Sequence, residues 1–263
     1  MTPWYILYVW IAASFVMSIG WLIQLRTRNA GIVDAIWAGS MGASAVYYAW
    51  ISSGGLAPRI GVAVLGGIWG LRLCVHILVR VLHESEDGRY RYLRSHWNDD
   101  QGKFFGFFML QAFSIALFSL PFYAVAENPR ETFSIWCVCG FVVWLTSMIG
   151  ESIADAQLSR YRKNPANRGK TCRAGLWRYS RHPNYFFEWI HWFAYVFLAI
   201  GTPFPAWLLS LLGPALMLGS LVWVSGIPFT EAQALRSRGN DYRDYQRTTS
   251  MLIPWWPRSG AEA

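Results

Sequence analysis

Between Glu151 and Trp189 the chain carries Asp155, Arg162, Tyr179, His182, Asn184, Tyr185 and Glu188 within a stretch that also holds eight Lys or Arg. The stretch joins two strongly apolar segments. A cationic loop at a membrane surface can hold anionic lipid and do nothing more. The polar residues ask for another purpose, because Asn184, Tyr185 and Glu188 fall at the start of an apolar helix, where such side chains are costly unless they face a cavity or a partner. Asn184 follows Pro183, which suits the first position of a helix, and the free backbone donors there suit a phosphate or a carboxamide.

Two more cationic segments accompany this one. The stretch from His83 to Lys103 mixes Glu84, Glu86, Asp87, Arg89, Tyr90, Arg91, Arg94 and His96 without apolar periodicity, and it reads as a solvated loop whose arginines can add charge to a phosphate site. The tail from Pro228 to Trp256 holds Glu231, Tyr242, Tyr245 and paired tryptophans, and it reads as a short interfacial helix folding back on the loops. Within the apolar runs, Asp34 stands near one end of the second, and Arg72, His76 and Arg80 recur every four residues along one face of the third. Two readings stay open. Asp34 pairs with Arg72 to fix helix packing, or Asp34 and His76 line a cavity and hydrogen-bond a carbonyl. Likewise Glu151, Asp155 and Arg162 either cap and pair at a helix end or reach a ribose and its phosphates.

Several chemistries are excluded. No Gly-x-Gly-x-x-Gly follows a strand and no Gly-Lys-Ser/Thr is present, so a nucleotide has to be held by loops and helix ends. Gly66, Gly67 and Gly70 lie in an apolar span and suit close helix packing. Cys74, Cys137, Cys139 and Cys172 lack zinc spacing, so no metal is expected and the thiols read as unpaired and structural.

These residues must be positioned by membrane helices. Of 263 residues 54% are hydrophobic and 14% charged, which is richer in apolar side chains and poorer in charge than a soluble domain. Seven runs supply about 20 mostly apolar residues, roughly 3 to 24, 32 to 52, 60 to 82, 104 to 126, 132 to 153, 184 to 200 and 206 to 226. The first has neither a basic leader nor a small-residue cleavage site and reads as a retained helix. Tyr47, Trp50, Trp189, Trp192, Trp255 and Trp256 fall near run ends, where amphipathic rings favour the interface. Nineteen Lys or Arg lie in alternate loops and the tail against two on the other side, which puts the N-terminus outside and the tail in the cytoplasm. The expectation is an all-α integral membrane protein with seven transmembrane helices, one membrane domain over 1–263. The net charge of +8 sits in loops between apolar runs, so nucleic acid is not a partner.

The run Asp155 to Arg162, the block Tyr179-Ser-Arg-His-Pro-Asn-Tyr-Phe-Phe-Glu188, and the tail with Gly239, Tyr242, Tyr245 and Leu252-Ile-Pro254 resemble the C-terminal domain of the steroid 5α-reductase family, over roughly residues 140 to 256. The resemblance implies a seven-helix fold in the bacterial cytoplasmic membrane that binds NADPH from the cytoplasm and reduces the Δ4 double bond of a 3-oxo-steroid or another hydrophobic enone. It carries NADPH contacts onto Asp155, Arg162, Asn184 and Glu188, and it matches Gly88-Arg89 to the family's loop after the third helix. Arg89, Tyr179, His182, Tyr185, Glu231 and Tyr242 complete the expected cofactor set. Membrane lipid is a further expected partner, and no obligate protein partner is expected.

The resemblance has departures. Family members set a Glu and a Tyr against the 3-keto group. Here Asp34 stands for the Glu, while the Tyr position is Ile77, leaving His76 as the substitute. Conjugate reduction needs a donor at the carbonyl oxygen, typically worth about 3 to 4 kcal/mol, and Asp34 and His76 are the expected pair. An S-adenosylmethionine-dependent membrane methyltransferase, which shares an Arg-His-Pro-x-Tyr block and a similar tail, is the competing class. A non-enzymatic lipid-binding or scaffold protein is the third.

Overall fold

The computed structural model describes residues 3–224 and 226–258, whose regular structure is all helical, with no strand among them. In chain order the helices are α1 (Pro3–Thr27), α2 (Ile32–Ile51), α3 (Leu56–His83), α4 (Gly88–His96), α5 (Gln101–Phe118), α6 (Leu120–Ala126), α7 (Ile135–Lys163), α8 (Pro183–Leu198), α9 (Leu212–Gly219), α10 (Ile227–Arg238) and α11 (Asn240–Thr248). Five runs are long and apolar enough to cross a membrane: Trp4–Thr27, Leu56–His83, Gln101–Ala126, Ile135–Lys163 and Ala206–Arg238. Their outer faces expose large apolar side chains such as Phe15, Leu71, Leu110 and Val142. Such continuous apolar exposure belongs in lipid, and the protein is a multi-pass membrane protein.

The chain forms two compact units. The first comprises residues 1–140 and 195–213. Its centre is α2 against α3, brought together by small residues: a Cβ on Gly70 would lie 2.6 Å from the Gly42 backbone, and one on Gly66 would lie 2.6 Å from Ala45 Cβ. The packing role expected of Gly66 and Gly70 is what the helices use. Around this pair α1 packs on α5, and α6 packs on the short 3-10 segment Ala206–Leu211. Pro121 at the start of α6 ends the α5 hydrogen-bond ladder, so the fourth apolar run is two helices rather than one.

The second unit comprises residues 141–194 and 214–263. There α7 continues to Lys163, some ten residues beyond the expected end of the fifth span, so Asp155 and Arg162 are helical. Ser220–Val224 widens to a π-helical turn, and α10 and α11 close on each other over Ala234, Tyr242 and Tyr245. Two expectations change with the fold. His83 to Lys103 is not simply a solvated loop, because Asp87 caps α4 by accepting the Arg89 N–H at 2.9 Å. Trp192 is fully buried rather than interfacial. All four cysteines are free.

Candidate functional site

In the second unit, α7 and α8 approach where the sequence offers no side chain. A Cβ at Gly150 would come within 2.3 Å of the Phe187 ring, so only glycine permits this crossing. The approach brings Asn184 to Asp155: Asn184 Nδ2 donates to Asp155 Oδ1 at 3.2 Å. Asp155 and Arg162 are seven residues apart, two turns along one side of α7. The preceding loop is stitched to the same helix. Gln157 Oε1 accepts the Leu176 N–H at 2.9 Å, and Trp177 Nε1 donates to the Ala154 carbonyl at 2.9 Å. Gly175 turns there at a φ of +61°, and a Cβ on it would meet the Gln157 side chain at 2.4 Å.

Arg162 is exposed and lies within electrostatic reach of Arg238 as well as Asp155 and Tyr185. Arg238 stacks its guanidinium 5.0 Å from the Tyr242 ring centre. Its Nε is buried and has no hydrogen-bond partner among the described residues. Two like charges near one another, one with an unused buried donor, form an arrangement that an anion would relieve.

A few residues away one carboxylate gathers several donors. Glu231 on α10 accepts from Arg181 Nε at 2.7 Å, Gln246 Nε2 at 2.7 Å, His182 Nε2 at 3.2 Å and the Tyr242 hydroxyl at 3.4 Å. Arg181 Nη1 also donates to the carbonyls of Gln246 and Thr249, both at 2.9 Å. The three charged or chargeable members are 11% (Arg181), 14% (Glu231) and 3% (His182) exposed. Burial pulls the His182 imidazole below its ordinary value, and the opposing pull of Glu231 does not undo this. Burial first, and then the Glu231 charge, push the Tyr242 phenol upward. The Tyr245 hydroxyl reaches the Trp177 and Ser180 carbonyls, and Ser180 Oγ donates to the Leu252 carbonyl at 2.8 Å. The expected fold-back of the tail on the loop is therefore present.

His182 also stacks on Tyr185, ring centres 5.3 Å apart, and the Tyr185 hydroxyl is 3.3 Å from Thr230 Oγ1. Tyr179 packs edge-on against Trp256. Thus His182, Glu231 and Tyr242, expected on a cofactor, hold the loop and tail together, while Asp155, Arg162, Asn184 and Glu188 lie along the partly exposed faces of α7 and α8.

In the first unit Asp34 accepts from Arg89 Nη2 at 3.0 Å and from the Tyr90 hydroxyl at 2.6 Å. Neither Arg72 nor His76 bonds it. His76 is exposed on α3 and makes no hydrogen bond among the described residues, and the partners of Asp34 are Arg89 and Tyr90 on α4. The reason is the position of α4, which brings two consecutive side chains onto the start of α2. Tyr90 is buried, and burial together with the Asp34 carboxylate pushes its phenol well above the ordinary value. Burial opposes ionisation of Asp87, but the Arg89 guanidinium and backbone N–H outweigh it and hold that carboxyl low. Arg94 ties the segment down through Glu86 at 2.8 Å and Asp99 at 2.5 Å.

Sequence reasoning missed Tyr90 and Arg238. Tyr90 follows Arg89 in a charged run with no apolar pattern to predict its burial. Arg238 is one of several tail arginines, and its only signal is the Gly239 that ends α10.

No solved structure matches the chain. An uncharacterized protein of Schizosaccharomyces pombe is 24% identical over 223 residues, a match covering 74% of this chain and 65% of that protein, so the chain spans just under two thirds of its relative's length. The model of the family described as "Protein of unknown function (DUF1295)" matches residues 20–249, and with that span the chain belongs to the DUF1295 family.

Proposed function

We propose that the protein is a membrane reductase that uses NADPH to saturate the Δ4 double bond of a 3-oxo-steroid or a related enone lipid. The observation that carries this reading is Arg162 near Arg238, whose buried Nε lacks a partner, in the same unit as the Asn184 and Asp155 pair at the start of α8. Guanidinium groups match phosphate oxygens, and a carboxamide and carboxylate at a helix start suit ribose hydroxyls or a nicotinamide carboxamide. The DUF1295 family includes steroid 5α-reductase-like proteins, which supports the same reading.

In this reading seven helices span the bacterial cytoplasmic membrane, with the N-terminus outside and the C-terminus in the cytoplasm. Besides the five long runs, the 20 residues of α2 reach roughly 30 Å at 1.5 Å per residue, enough for the hydrocarbon core. The 16 residues of α8 make the shortest span.

Arg162 and Arg238 bind phosphate, and Asp155, Asn184 and Glu188 bind the sugar and carboxamide. His182, Tyr185, Glu231, Tyr242 and Tyr179 hold the surrounding backbone in register. In the first unit Arg89 orients Asp34, and Asp34 orients Tyr90. Tyr90 gives its one O–H to that carboxylate and so fixes Asp34 rather than meeting the ketone. Bound NADPH supplies the hydride for the β-carbon. The α-carbon then takes a proton from water.

Thermal unfolding of the purified protein in detergent with NADPH, NADH or S-adenosylmethionine tests the cofactor, since a ligand at 100 Kd stabilises by about 2.7 kcal/mol. NADPH stabilisation followed by a 5α-reduced product from a Δ4-3-ketosteroid is the expected result. Stabilisation by S-adenosylmethionine alone would establish the methyltransferase reading, and none by any of the three would leave a lipid-binding or scaffold protein.

A further inference from the structure

The second unit contains a cavity of about 260 Å³ that the proposed reduction does not use. Arg181, Arg247 and Arg258 line it together with Ser250, Trp255 and Trp256, and no carboxylate lies in its lining. The Arg181 charge is met by Glu231 and that of Arg247 by Asp244, whereas Arg258 has no ion pair among the described residues. The segment is shaped by its backbone. The Arg258 N–H donates to the Thr248 carbonyl at 2.9 Å, and the Trp255 N–H donates to the Tyr179 carbonyl at 2.9 Å.

The rim is apolar. Trp255 is 70% exposed, Trp256 is 73% exposed, and Ile253 beside them is exposed too. Paired indoles adjoining arginines are the composition that settles at the headgroup level of a bilayer, where anionic lipid also attracts basic side chains. Sites that enclose a drug-sized ligand measure roughly 300–1,000 Å³, so this cavity is too small for a dinucleotide and large enough for a phosphate with a few attached atoms.

We propose that this cavity binds the phosphate headgroup of an anionic membrane phospholipid. The guanidinium groups of Arg247 and Arg258 meet the phosphate oxygens, and the indoles of Trp255 and Trp256 lie against the glycerol and the first acyl carbons. A free phosphate ester offers the same oxygens but leaves the exposed indoles uncovered.

The test is lipid retention by the full-length protein, purified from mixed phosphatidylglycerol and phosphatidylcholine micelles and read by native mass spectrometry. The wild type should retain phosphatidylglycerol in preference to phosphatidylcholine, and Arg258→Gln and Arg247→Gln should each reduce that preference about fivefold. Trp255→Ala with Trp256→Ala should lower retention of both lipids. In a second arm, inorganic phosphate is added to the delipidated protein and melting is followed. If phosphate raises the melting temperature of wild type but not of Arg258→Gln, while no lipid preference exists, the ligand is a soluble phosphate and the headgroup assignment is overturned. An unchanged lipid preference in the arginine variants overturns it as well, provided circular dichroism shows them folded. Arg258 is exposed, which makes its substitution safe for folding. Arg258→Lys, keeping the charge, should retain most of the preference.

Discussion

Glu231 and Arg238 sit on the same helix, two turns apart, and their surroundings are opposite. Glu231 receives four side-chain donors from the loop and the tail, while the buried Nε of Arg238 donates to nothing among the described residues. The contrast separates two uses of polarity inside one fold. A charge bonded from several sides by its own chain fixes geometry. A charge left with an unused donor near a second guanidinium is what the proposed phosphate site draws on. Both occur within a segment that, read as sequence, is simply a tail with alternating acids, arginines and tyrosines.

The largest test of the contrast is Glu231→Ala. It strands Arg181 and His182 in a buried setting, and breaking such a pair costs about 3–5 kcal/mol, which should appear as a large fall in melting temperature with or without cofactor. If melting is unaffected, the cluster is not structural. Tyr90→Phe should instead cost about 1.5–3 kcal/mol of stability by taking a donor from the Asp34 carboxylate, whereas His76→Ala, at an exposed position, should melt close to wild type. A loss of turnover in folded His76→Ala would place that imidazole at the ketone, as expected of it.

Arg238→Ala completes the comparison. A hydrogen bond to a charged group is worth about 1.5–3 kcal/mol, so the Kd for NADPH should rise at least tenfold, while the ligand-free melting temperature should change little, the relieved repulsion with Arg162 offsetting the lost contacts with Tyr242 and Asp241. A fall in ligand-free stability with unchanged Kd would make Arg238 structural. Gly150→Ala should cost about 1–3 kcal/mol through the Phe187 ring, and it should weaken cofactor binding indirectly by parting Asp155 from Asn184.

The smallest effect expected is one of pH. Because burial lowers the His182 pKa in the fold, the unfolded chain takes up the proton first as pH falls through about 6.5, and stability declines from there down through the folded value. His182→Asn should flatten the melting temperature across that window. A slope unchanged from wild type would show that other groups dominate.

The sequence disclosed some of this through patterns with a local cause. Gly66 and Gly70 recur at the spacing of one helix face, and that face is where α2 approaches. Pro183 begins α8, so the position of Asn184 at a helix start was legible. What stayed hidden depends on which face turns inward. Arg72, His76 and Arg80 share a side of α3 by spacing alone, but nothing local says that His76 points outward. Trp192 resembles an interfacial ring by position and is wholly enclosed. Tyr90 is covered only because α4 exists, and nine mostly polar residues give no periodicity from which to foresee that helix.

The union of loop and tail also sets an order of events during synthesis. Ser180 finds its acceptor 72 residues downstream, at Leu252, and Arg181 waits nearly as long for the carbonyl of Thr249. At roughly 5–20 residues per second, a ribosome needs on the order of 4–14 s to supply that partner. Until then the Arg-His-Pro turn leaves translation with its hydrogen bonds open, so any ligand grip it supports forms only once Leu252 has been made.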